Sequence, residues 1–192
     1  MRGVSRVMGH SRWFLPLRHA AGQCVLHDYH DRMDLRAAAT DFADSTRVFL
    51  EAARAVRHAD LDSRQLGDWS VRQIIHHVAD SEAQSYARLR RLVAEPEGCL
   101  IQGYDEAAWA ACPTLGYDDL PVDNSLLVIQ AVRAASLDII QRLTVADLDR
   151  MGTHSESGAY SVRDWLRNYT AHPRDHAAQL AQALAAGTSQ PS

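Results

Sequence analysis

The chain has 192 residues, 46% of them apolar and 23% charged, with a formal net charge of −4. That is ordinary globular composition; it argues against a disordered chain and gives no sign of a nucleic-acid partner. All 20 basic residues are arginine, which excludes Schiff-base lysines, pyridoxal anchors and the P-loop lysine.

Residues 1–33 read as a leader apart from the rest. Arg2, Arg6, Arg12 and Arg18 precede the first acid, Asp28. Such a start fits a transit-like segment, or upstream sequence read from a start codon placed early, since Met33 opens a convincing helix. The run Trp13-Phe14-Leu15-Pro16-Leu17 is too short for a signal-peptide core, and no stretch reaches the roughly 18 apolar residues of a membrane span. The longest apolar candidate, near 126–140, carries Arg133 and Asp138. Cys24, Cys99 and Cys112 are odd in number and lack CxxC spacing. They suit neither a disulfide framework nor a thiolate zinc site, and fit a reducing cytoplasm.

From residue 34 to 187 the chain reads as four long helices. The first covers about 34–57, with Leu35, Phe42, Phe49 and Val56 at heptad spacing. A loop over 59–68 leads to the second, opened by Trp69-Ser70. Ser70-Val71-Arg72-Gln73 is a capping-box sequence, and Val71, Ile74, Ile75, Val78 and Leu89 carry the apolar face to about residue 94. Residues 95–122 form a long connection with a short helical turn expected over Asp105–Ala111; loops of this length are often functional. The third helix covers about 123–144. The fourth starts at Tyr160-Ser161, and Ser161-Val162-Arg163-Asp164 echoes the earlier cap. Pro173 lies inside it and predicts a kink, while residues 188–192 are a fraying tail. No run alternates with period two for long enough to argue a sheet. The expected fold is therefore all-α, a four-helix bundle with a long loop between helices 2 and 3.

Ten histidines are many for this length. His172 and His176 stand four apart, on one helix face beside Trp165, Tyr169 and Leu180, and two imidazoles so placed can grip one metal ion. Another ligand is needed, and helix 2 offers His76 or His77. The stripe through Val71, Val78 and Leu89 puts His77 on its flank with Ile74 and Ser81, and so favours His77. Three neutral imidazoles leave a divalent ion its full charge and an open position, where water or a thiol loses its proton readily. There is no HExxH or ExxH sequence, against a zincin or a di-iron site. His27-Asp28-Tyr29-His30-Asp31 is ligand-rich but lies in the leader.

The segment Trp69 to Ser81 resembles the second-helix signature of the DinB/YfiT-like superfamily. Tyr104-Asp105-Glu106-Ala107-Ala108-Trp109 resembles the loop motif of its YfiT-like, metal-dependent hydrolase branch, and His172-Pro173-Arg174-Asp175-His176-Ala177-Ala178-Gln179 its closing H-x3-H-x2-Q. Together the motifs span about residues 34–185. The resemblance implies a four-helix bundle with one divalent metal, zinc or nickel, on His77, His172 and His176. It further implies a homodimer, and hydrolysis or thiol S-transfer with a low-molecular-weight thiol cosubstrate and a small-molecule electrophile. Asp80 is expected to orient a ligand ring or act as a base, Asp105 and Glu106 to reach the metal mouth from the loop, and Gln179 to hydrogen-bond behind a ligand. The alternative is a non-catalytic metal-binding stress-response bundle.

Overall fold

The computed structural model describes residues 34–64 and 68–187. The expectations for the leader, for the His27–Asp31 cluster and for residues 188–192 lie outside them. The four long helices are α1 (Leu35–Arg54), α2 (Val71–Ala94), α4 (Asp123–Ile140) and α5 (Val162–Gly187). Strand β1 (Cys99–Ile101) and the short helix α3 (Glu106–Ala110) lie between α2 and α4; strands β2 (Met151–His154) and β3 (Gly158–Ser161) lie between α4 and α5.

The helix starts follow their sequence signals. Ser70 Oγ accepts from the Gln73 N–H at 3.2 Å while Gln73 Oε1 accepts from the Ser70 N–H at 2.8 Å. Ser161 and Asp164 exchange the same pair of bonds, both at 3.0 Å, at the start of α5. Each pair satisfies two backbone donors that a helix start leaves free. The closely packed helix pairs are α1–α4, α1–α5, α2–α4 and α2–α5. Helices α1 and α2, consecutive in sequence, thus lie diagonally across the bundle, as do α4 and α5.

A small sheet, absent from the sequence expectation, closes one end. β1 pairs parallel with β2, Cys99 opposite Gly152 and Ile101 opposite His154, and β2 pairs antiparallel with β3. Strands of three or four residues are too short to show a period, and the buried positions of β2 are Gly152 and His154 rather than apolar side chains. Glycine is required at 152, where a Cβ would stand 2.8 Å from the Ile101 side chain and 2.9 Å from the Cys99 carbonyl. Beyond the strands, the Ser155 hydroxyl accepts from the Gly103 N–H at 2.9 Å, which fixes the chain entering α3.

The core divides into two apolar halves. One holds Phe42, Leu89, Ile140 and Trp165; the other holds Phe49, Val78, Ile129 and Leu180. Each long helix passes from one half to the other through buried polar residues: Ser45 on α1, Ser81, Glu82 and Ser85 on α2, Arg133 and Ser136 on α4, His176 on α5. A polar layer thus crosses the middle of the bundle. Its centre is Arg133, 1% exposed. Its Nε donates to Thr46 Oγ1 (2.6 Å), Nη1 to Glu82 Oε1 (2.8 Å) and the Tyr169 carbonyl (3.0 Å), and Nη2 to the Phe42 carbonyl (3.1 Å) and Ser45 Oγ (2.9 Å). All five guanidinium N–H donors are engaged, with partners on α1, α2 and α5. Helix α5 continues through Pro173, which is buried. No helix among the described residues is long and apolar enough to cross a membrane.

Candidate metal centre

His77 comes from α2, and His172 and His176 come from successive turns of α5. One ligand atom from each lies within 4.8 Å of the others, a group that could hold a metal ion. Ring centroids are 4.8 Å apart for His77–His176, 5.7 Å for His77–His172 and 4.5 Å for His172–His176. His76 turns the other way: its Nδ1 lies 2.8 Å from Ser125 Oγ and its Nε2 3.2 Å from the Leu120 carbonyl. Trp69, just before the α2 cap, sets its ring 4.7 Å from that of His77.

The surroundings suit a cation-binding set. Burial, then the fields of His176 and His172, lower the His77 pKa to about 2. Burial, then His172, lowers that of His176 to about 3. Both rings are therefore neutral at pH 7 and offer a lone pair. His77 Nδ1 is buried with no hydrogen-bond partner. On the other two rings, one ring nitrogen is held from behind. His176 Nδ1 lies 2.7 Å from Gln179 Oε1, and His172 Nδ1 lies 3.3 Å from Glu82 Oε1. An acceptor at Nδ1 fixes the tautomer that leaves the Nε2 lone pair free, the arrangement found behind metal-bound histidines. Three imidazoles with these backing groups fit a divalent metal.

The expected carboxylates divide among different positions. Glu106, half-buried at the start of α3, stands in the fields of His172 and Arg88, while burial pushes its pKa up. Asp105 is exposed and caps α3, its Oδ1 accepting from the Ala108 N–H at 2.9 Å. Asp80 accepts from the Tyr117 hydroxyl at 2.6 Å. It lies on the His76 flank of α2 and lines a separate cavity of about 230 Å³ with His76, Tyr117 and Ser125. Gln179 stands where the motif puts it. Glu82 and Arg133 were not singled out as site residues from sequence. A signal for Arg133 existed, since it shares the inward spacing of Ile129, Ser136 and Ile140, an odd place for a charge.

Comparison with known proteins agrees with the fold. Residues 41–180 match the DinB superfamily. A protein of Bacillus mycoides (strain KBAB4) named "Putative metal-dependent hydrolase" is 35% identical over 136 residues, covering 68% of this chain and 75% of that protein. One of the same description from Oceanobacillus iheyensis is 36% identical over 128 residues, covering 63% and 72%. The solved structure of YfiT from Bacillus subtilis, described as a probable metal-dependent hydrolase with an unusual four-helix bundle topology, superposes with a TM-score of 0.72. It is 22% identical and covers 84% of this chain and 92% of that one. The chain belongs to the DinB superfamily, and its fold is the YfiT-type four-helix bundle.

Proposed function

We propose that this protein is a metal-dependent enzyme acting on a small electrophilic molecule, by hydrolysis or by transfer to a low-molecular-weight thiol. The convergence of His77, His172 and His176 within 4.8 Å carries this reading, and the names of its relatives support the hydrolytic form. These three residues would hold a divalent ion, zinc or nickel, which when bound supplies Lewis-acid activation of a water or thiol nucleophile. The chain's own groups do the rest. Glu82 and Gln179 hold the rings of His172 and His176. Glu106 gives or takes the proton, because burial moves its carboxyl toward the working pH. Asp105 sets Glu106 in place by capping α3, and Asp80 anchors the long loop through Tyr117. A homodimer is part of the same proposal, supported by Leu120, Leu127 and Val128 exposed just before and along α4.

The test is turnover of 4-nitrophenyl acetate, and of chlorodinitrobenzene with a panel of thiols, by zinc- and nickel-loaded protein. Metal-dependent turnover that disappears in His172→Ala is expected. A bound metal with no turnover on either substrate would favour a non-catalytic metal-binding bundle.

A further inference from the structure

Arg88 lies on the α2 face that carries His77, eleven residues on and about 20° round the helix. It is 8% exposed. Nη1 donates to the Tyr169 hydroxyl at 2.7 Å and Nη2 to the Gln102 carbonyl at 2.9 Å. Both partners are neutral, and among the described residues no acid forms an ion pair with it. Its Nε is buried without a hydrogen-bond partner. Arg133 is the contrast within the same molecule: also buried, it engages every donor and pairs with Glu82. Glu106 acts on Arg88 through its field alone, and a buried guanidinium without a hydrogen-bonded counter-charge is costly to keep.

The surroundings say what it is kept for. Ser85 Oγ and His77 Nδ1 are also buried without partners. Positions 77, 85 and 88 share one stripe of α2, so groups with unmet hydrogen-bonding capacity run along it from the three histidines to Arg88. Tyr169, which receives the Arg88 bond, lies one turn before His172, with ring centroids 5.8 Å apart. Glu106 stands in the fields of both Arg88 and His172. The guanidinium is therefore joined to His172 through Tyr169, and its remaining N–H donors suit a planar oxyanion.

We propose that Arg88 recognises an anion beside the metal centre, so that the substrate is a small molecule bearing a carboxylate. The carboxylate sits on Arg88 and the reacting group at the three histidines. This rests on the metal-centre reading above.

The test is titration calorimetry of glutarate, and of its neutral analogue glutaramide, into the full chain in metal-free and zinc-loaded form, with zinc uptake measured on the same samples. Glutarate is expected to bind the metal-free wild type, and glutaramide at least about tenfold more weakly. Arg88→Gln is expected to weaken glutarate by at least about tenfold while leaving zinc uptake unchanged. Arg88→Lys keeps the charge but loses the fork and should weaken glutarate by about threefold to tenfold; it carries the test if circular dichroism shows the Gln variant unfolded. No glutarate binding, equal binding of glutaramide, or glutarate affinity unchanged in the variants would overturn the proposal. Zinc uptake without Arg88-dependent glutarate binding refutes the role of Arg88 alone. Arg88-dependent binding without zinc uptake supports the anion site and refutes the metal-centre reading.

Discussion

Arg133 supplies the hydrogen bond that Pro173 removes. A proline at 173 has no N–H to give the Tyr169 carbonyl one turn earlier, and Arg133 Nη1 donates to that carbonyl at 3.0 Å. The same nitrogen holds Glu82 at 2.8 Å, and Glu82 reaches His172 Nδ1 at 3.3 Å. Pro173, Arg133, Glu82 and His172 thus form one connected unit in the middle of the bundle.

Removing Arg133 should be severe. Arg133→Met leaves a buried carboxylate and the Tyr169 carbonyl without their donor, and breaking a buried ion pair from one side costs about 3–5 kcal/mol. Urea denaturation of the metal-free protein should show a loss of that size. Pro173→Ala, by contrast, should gain well under the ~3 kcal/mol usual for relieving a helix of proline, because Arg133 already satisfies the freed carbonyl. A gain near the full amount would mean that the Arg133 contact contributes little.

Glu82→Gln tests the link to the site. The amide keeps the size of the side chain but weakens its hold on the His172 ring and on Arg133. Loss of a carboxylate behind a ligand histidine typically lowers metal affinity about 10–100-fold. Competition against a chelator of known affinity measures this directly; unchanged affinity would make Glu82 purely structural.

Acid should destabilise the metal-free protein through its histidines. His77 and His176 titrate at about 2 and about 3 when folded, but near 6.5 when unfolded. Between those values the unfolded chain binds more protons, so stability falls as pH drops below about 6.5. Each ring contributes a slope of about 1.4 kcal/mol per pH unit there. His77→Gln should remove one such increment between about pH 6 and pH 4, read by denaturant titration at a series of pH values. Parallel curves for wild type and variant would contradict the burial of that ring.

The two neighbouring carboxylates of α3 should behave differently. Glu106→Gln is expected to lower kcat about 100-fold or more if Glu106 moves the proton. Asp105→Ala should act through the cap, costing about 1 kcal/mol of local stability and changing kcat far less. Steady-state kinetics and hydrogen exchange across residues 105–111 separate the two effects. Equal losses of kcat would mean that the cap and the chemistry are not separable.

The helices and the facing of the histidines were legible because both depend on near-neighbour geometry. The 3.6-residue period and the Ser70 and Ser161 caps located the helix starts, and the Val71–Val78–Leu89 stripe chose His77 over His76. Pairing decided by distant residues was not legible. The sheet rests on register between residues 99–101, 151–154 and 158–161, too short to leave a period. Glu82 carries no local sign of its role, since its partner Arg133 lies 51 positions away on another helix. Asp105 and Asp80 stand out in the sequence for their chemistry, while their bonds to the Ala108 N–H and the Tyr117 hydroxyl depend on loop conformation.

The central claim is tested most directly by elemental analysis of the full chain purified without a histidine tag. Mass spectrometry of the wild type and of the His77→Ala, His172→Ala and His176→Ala variants should find about one equivalent of a divalent transition metal per wild-type chain and little in any variant that remains folded. A metal-free wild type that takes up no zinc or nickel, or variants that keep a full equivalent, would contradict it.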